Sequence, residues 1–458
     1  MSPFGHYRQI LEHVQPVGVA GRVRAVRGLT VSVSDFSAPI GANCRIVRGS
    51  RAIDARVIGF AGDETLVMPL GPVTGICRGD RVTCSAEEQT VGVSPEMLGR
   101  VLNGFGRPID GGPEIRVDRR MEIWPEPIGP MSRRRITEPL ATGVRAVDAM
   151  LSIGRGQRMG IFAGSGVGKS VLLGMIGRHT GADVTIIALI GERGREVRDF
   201  IEKDLGPEGL RRAVIVVSTG DEPPLLRVQG GAVAAAIAEY FRDQGLDVLL
   251  LMDSLTRLAM AQRQIGLAAG EPPATKGYTP SVFSLLPELL ERAGRSETGS
   301  VTGFYTVLVE GDDMVEPIGD AARAATDGHI YLSRELANRG QFPAVDVLQS
   351  VSRVMIDVAD KEHLGAARKV QALVALHREI EDMVSIGAYQ KGTSAEHDLA
   401  ITIMPIVRQF LAQRMDERGE FAATRRGLLD LQAQIDRARQ QRLRGSVGAG
   451  QALWRDPT

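Results

Sequence analysis

The run Ala163-Gly-Ser-Gly-Val-Gly-Lys-Ser170, set between an apolar strand-like segment and a helical one, constrains this chain more than any other stretch. Glycines at such spacing let backbone N–H groups turn inward around phosphate oxygens, a lysine reaches the outer phosphates, and a hydroxyl serves Mg²⁺. Gly164, Gly166, Gly168, Lys169 and Ser170 supply those parts, with Ser165, Val167 and Val171 filling the loop and the first helical turn. The strict pattern opens on glycine; Ala163 stands there instead, a difference of one methyl group.

A strand that feeds a phosphate loop and then a helix belongs in an α/β layer structure, and the neighbouring residues agree. Apolar runs at 157–163, 183–191, 213–219, 247–253 and 301–310 alternate with helical stretches at 170–181, 230–245 and 279–294. Continuously apolar strands separated by helices predict a mostly parallel sheet covered on both faces. Upstream, residues 18–92 change to short alternating runs punctuated by glycine and proline, the pattern of a small β-barrel. Pro108, Pro113, Pro125, Pro127, Pro130 and Pro139 then exclude a continuous helix or a central strand and mark an ordered connector. Past Asp360 helical signals take over, and Leu428, Leu431, Ile435 and Ala438 share one face of a final helix. The expected units are an arm over 1–17, a barrel over 18–92, an α/β core with its connector over 93–360, and a helical domain over 361–458.

Composition narrows the function classes. The 55 Lys plus Arg balance 55 Asp plus Glu, which removes the electrostatic case for a dedicated nucleic-acid binder. No apolar run reaches the roughly 18 residues that span a bilayer, and the first residues lack a signal-like apolar stretch. Cys44, Cys77 and Cys84 are odd in number and have no CxxC spacing; they read as three ordinary thiols in a reducing compartment. Phe4, Tyr7, Leu11 and Val14 fall at helix-like spacing, which fits a docking helix, a frayed terminus or an intramolecular packing helix.

Two carboxylates fall where phosphate chemistry needs them. Asp253 ends the apolar run 247–253, the position from which an acid orients magnesium-bound water. Glu192 ends the run 183–191 and is the candidate base for the attacking water, with Glu196 as its local rival.

The segments FAGSGVGKS, GERGREVRDF, LLLMDSLTR, GYTPSVFSLLPELLERAG, FYTVLVEGDDMVEPIGDAARAATDGHIYLSR and FPAVDVLQSVSRVM together resemble the ATPases of type III protein export. Those are relatives of the catalytic subunit of rotary ATP synthases. The resemblance, dense over residues 90–357, implies a RecA-like P-loop core between the small β-barrel and the C-terminal helical domain. It implies ATP as substrate with Mg²⁺, and a homo-oligomeric ring of six subunits. By the same resemblance Arg353 is an arginine finger for the neighbouring subunit, Phe342 stacks on adenine, and Arg193 contacts phosphate or holds Glu192. For Phe342 a plain core position, and for Arg193 a salt bridge within the chain, are the structural alternatives. The implied partners are a stalk-like regulator bound through the N-terminal arm, membrane proteins of the export gate, and export chaperones with their substrates. The implied location is cytoplasmic, against the inner face of the cell membrane. GDDMVEPIGDAARA resembles the flagellar members, whereas virulence members often carry an extra acid where Ala321 or Ala322 stands. A virulence ATPase and a non-catalytic nucleotide-binding ring subunit are the alternatives; the latter usually lacks the carboxylate that Glu192 provides.

Overall fold

The computed structural model describes residues 19–84, 89–309 and 316–452. The amphipathic stretch at Phe4, Tyr7, Leu11 and Val14 lies outside the described residues, as do Asp312 and Asp313 of GDDMVEP.

Alternation in the N-terminal part does produce a closed barrel of six strands, Ala20–Arg27, Thr30–Ser34, Asn43–Arg48, Arg51–Ala61, Glu64–Pro69 and Arg81–Cys84. Val23, Val31, Val33, Ile46, Val57, Val67 and Val82 point inward and are almost wholly buried. The last strand closes the ring between the first and the third. It sets Cys84 directly opposite Cys44, a neighbourhood that Cys spacing did not disclose. The barrel is seated on the core by a buried hydrogen bond, in which Arg56 Nη2 donates to Gln229 Oε1 at 2.6 Å.

The core holds a nine-stranded sheet. Its order runs Val351–Ser352, Gly328–Leu332, Arg158–Ala163, Ser300–Leu308, Asp247–Asp253, Val184–Ile190, Ala213–Ser218, Val101–Asn103, with Gly294–Arg295 paired off this path. All neighbours on the path are parallel except the short edge pair Val351–Ser352 and Gly328–Leu332. Alternate side chains of one strand feed two different cores, as the period of two requires: Ile186, Ala188 and Ile190 enter one cluster, Ile187 and Leu189 the other. Helices Pro224–Asp243, Leu255–Ala269 and Pro280–Leu290 cover the first face, and Lys169–His179 the second. The proline-rich connector contributes Arg119–Glu122, which pairs with Thr90–Val93 in a separate two-stranded sheet.

Helices Lys361–Ser385, Ala395–Leu411 and Phe421–Ala452 form the C-terminal part. Asp360 and Ser394 cap the first two, their side chains accepting from the backbone N–H of His363 and His397. Leu428, Leu431 and Ile435 are buried along one stripe, with Ala438 packed beside them. Gln413 fastens this part to the core: its Nε2 donates to Gly143 O at 2.8 Å and its Oε1 accepts from Arg145 N at 2.6 Å. Among the described residues no helix is long and apolar enough to cross a membrane.

Candidate active site

The loop after strand Arg158–Ala163 owes its shape to two glycines. Gly166 and Gly168 have φ of 78° and 90°, the left-handed region that strains any side chain, and Gly168 caps helix Lys169–His179. Val167 is buried and anchors the loop, whereas Ser165, Gly166 and Ser170 face solvent. Gly164 is buried at the strand end and Val171 is half-buried on the first turn. Arg334 Nη1 donates to Ser165 O at 3.2 Å, bracing the loop from outside.

Sheet order brings the two predicted carboxylates to Lys169. Parallel strands end together at one edge, and Asp253 aligns with Leu189, three residues before Glu192. Lys169 Nζ donates to Asp253 Oδ1 at 2.5 Å and lies 3.5 Å from Glu192 Oε1. Thr306 Oγ1 donates to the same Asp253 oxygen at 2.7 Å, fixing its orientation. Arg257, on the helix that Ser254 caps, places Nε 3.2 Å from Glu192 Oε1, and its Nη2 donates to Oε2 at 3.3 Å. The Nε contact is out of line for a hydrogen bond, so buried Glu192 Oε1 keeps an open lone pair beside the phosphate loop.

Burial pushes Glu192 up to about 7; the Asp253 charge and a hydrogen bond shared with Glu196 add to this, while Lys169 and Arg257 oppose it. Glu196 is held below its ordinary value by that same hydrogen bond, then by its backbone bond to Arg193. The two carboxyls therefore separate: Glu192 takes up a proton near neutrality while Glu196 stays ionised. A base must be unprotonated to accept a proton, so activity dependent on Glu192 is lost as pH falls through 7. The kcat/KM for ATP is expected to drop about tenfold per unit below pH 7; a flat profile down to pH 5.5 would contradict a base role for Glu192.

The other predicted residues fall in three places. Phe342 is 45% exposed, and a Cβ added to Gly168 would lie 3.5 Å from its ring, so the ring flanks the phosphate loop. Gln413 N donates to Phe342 O at 2.9 Å and ties this ring's backbone to the helical part. Arg193 does not join the cluster; its largely exposed side chain lies 3.6 Å from Glu196, and Arg257 occupies the place beside Glu192. Arg353 is exposed at the far edge of the sheet, its N–H donating to Asp327 O at 2.9 Å. Asp327 pairs with Arg158, where the phosphate-loop strand begins. At a rise of about 3.3 Å per residue, that strand alone separates Arg353 from the loop by roughly 17 Å. The backbone of Arg353 thus sits near the start of the strand whose other end carries its own chain's phosphate loop.

The chain as a whole is similar to proteins of known kind. The nucleotide-binding domain of the ATP synthase alpha/beta family matches residues 143–352, and the C-terminal domain of the type III secretion ATPase EscN matches residues 359–430. The flagellum-specific ATP synthase of Treponema pallidum is 53% identical over 91% of this chain and 94% of its own length. The chain belongs to the flagellar and type 3 secretion ATPase family. The type 3 secretion system ATPase of Xanthomonas euvesicatoria, another member, is 48% identical over 88% of this chain and 92% of that protein. The assembled ATPase EscN of enteropathogenic E. coli superposes with a TM-score of 0.86 at 42% identity, over 90% of this chain and all of that one. EscN in complex with its central stalk EscO gives 0.83 at the same identity and coverage. As a member of this family the chain is a P-loop ATPase of RecA-like fold, with ATP as its substrate.

Proposed function

We propose that the chain is a Mg²⁺-dependent ring ATPase that energises or regulates type III protein export at the base of the flagellum. The observation that carries the ring is the separation within one chain of Lys169 from an exposed Arg353. A guanidinium at the opposite end of the sheet completes a site only in an adjacent copy. The assembled state of EscN supports an oligomer, for which a closed ring of six subunits is the proposed arrangement.

In this account Lys169 and the loop amides of residues 164–170 hold the phosphates, and the ring of Phe342 flanks the base. Ser170 and Asp253 would hold Mg²⁺ directly or through water. Hydroxyl and carboxylate oxygens are the hard donors that this ion takes. When bound, Mg²⁺ neutralises charge that develops on the phosphates. Glu192 orients the attacking water through its open Oε1 and takes its proton, with Arg257 positioning the carboxylate. Arg353 of the neighbouring copy stabilises charge on the transferring phosphoryl group, and phosphate and ADP leave. Arg193 is assigned to supporting Glu196, not phosphate.

The complex of EscN with EscO supports a stalk-like partner, for which the arm at residues 1–17 is the proposed contact. Export-gate membrane proteins, chaperones and their substrates are the further partners proposed, at the cytoplasmic face of the membrane. Glu192→Gln separates an enzyme from a nucleotide-binding scaffold. ATP should bind at near-parental affinity while hydrolysis falls below about 1% of parent; unchanged hydrolysis sinks the assignment. Flagellar and virulence clients are separated in cells carrying Lys169→Ala at the native locus. Flagellin should disappear from the medium, and its persistence at parental levels points to the virulence reading.

A further inference from the structure

The barrel seam holds two thiols that the ATPase chemistry leaves unused. Cys44 and Cys84 are register partners on antiparallel strands Asn43–Arg48 and Arg81–Cys84, so their side chains leave the sheet on the same face. The backbone N–H of Cys84 is turned the other way and donates to Val19 O at 2.9 Å. The pair is therefore of the non-hydrogen-bonded kind, in which facing Cα atoms come within about 4.5 Å and side chains approach most closely. That separation lies inside the roughly 4.4–6.8 Å range over which a disulfide closes without moving the backbone. Cys44 is buried in the barrel interior, and Cys84 packs against the same apolar cluster while remaining partly open to solvent. The short strand that carries Cys84 is also the one that closes the barrel.

We infer that Cys44 and Cys84 form a cross-strand dithiol that a peroxide oxidises to a disulfide, clamping the closing seam of the barrel. The thiolate of Cys84, the more accessible of the two, attacks one peroxide oxygen; the O–O bond breaks, leaving a sulfenic acid and one water. The thiolate of Cys44 then attacks that sulfur, the S–O bond breaks, and the hydroxide leaves as a second water after protonation. Two thiols lose two electrons and two protons, and the peroxide takes up both. In a reducing compartment the pair rests as thiols, which agrees with the cysteine count; oxidation is the exceptional state. Burial pushes the Cys44 thiol up to about 12, with Cys84 adding and the Arg56 guanidinium opposing, and burial also raises Cys84. Reaction is accordingly slow at neutral pH and gains up to about tenfold per pH unit as thiolate forms.

Trypsin places the three cysteines in three separate peptides, residues 28–45, 57–78 and 82–100, which makes the test direct. The full chain is treated with hydrogen peroxide at pH 7 and pH 9, alkylated, digested without reductant and weighed by mass spectrometry. The expected result is a linked species of 28–45 with 82–100, two hydrogens lighter than the sum and recovered from monomeric protein. It should be released by dithiothreitol, form faster at pH 9, survive Cys77→Ser and be absent from Cys84→Ser. Oxidation of Cys84 to sulfinic or sulfonic acid while Cys44 stays alkylatable would overturn the inference. A link to residues 57–78, or one formed between two chains, would overturn it equally.

Discussion

Arg353→Ala should leave nucleotide affinity near the parental value while hydrolysis by the assembled ring falls about 10³–10⁵-fold. Affinity is spared because the backbone of Arg353 is held by Asp327 at the start of the strands, at the end away from its own phosphate loop. In the proposed ring the guanidinium acts on charge that exists mainly in the transition state, so its removal lowers kcat without weakening ground-state binding. The fold should survive, since the side chain is exposed at a sheet edge. Equilibrium binding of a fluorescent ATP analogue, set beside phosphate release from cross-linked rings, reads both halves of the expectation. Near-parental turnover would remove Arg353 from the site.

Lys169→Ala should lower hydrolysis by at least about 10²–10³-fold and weaken nucleotide binding as well. Lys169 is the cation between Asp253 and Glu192, at 2.5 and 3.5 Å. Truncating it takes away a phosphate contact and leaves two buried carboxyls facing each other. Glu192, already pushed up to about 7 by burial, loses the positive charge that held it down and shifts further up. The base is then protonated at neutral pH, so two faults combine. Isothermal binding and steady-state phosphate release measure them separately, and an activity loss of less than tenfold would count against the site as drawn.

Much of this was legible in the sequence wherever the information is local. The phosphate loop is eight contiguous residues whose strand and helix neighbours are written on either side. Barrel alternation and the stripe of Leu428, Leu431 and Ile435 are likewise patterns within single elements. The register of separate strands, in contrast, is written nowhere in one element. Arg193 adjoins Glu192 in the chain and was the natural candidate for its partner, yet local geometry turns it outward to Glu196. The residue that reaches Glu192 is Arg257, carried there because the strand ending in Asp253 lies alongside the one before Glu192. Its position four residues beyond Asp253, on the helix following that strand tip, was the only available sign. Thr306 and Gln413 were unreadable for the same reason, as each acts on a residue more than fifty positions away. The pairing of Cys44 with Cys84 depends on barrel closure and appears only once the last strand is seen between the first and third.

Mixing two inactive variants tests completion of the site between copies most directly. Lys169→Ala chains lack the phosphate lysine but present Arg353; Arg353→Ala chains keep the lysine and lack the finger. In mixed rings assembled from equal amounts, a site whose lysine and arginine come from different chains is intact by chance at roughly one interface in four. The account predicts that ATP turnover, absent from either variant alone, returns to about a quarter of the parental rate on mixing. Mixed rings that form normally and stay as inactive as their components would contradict it.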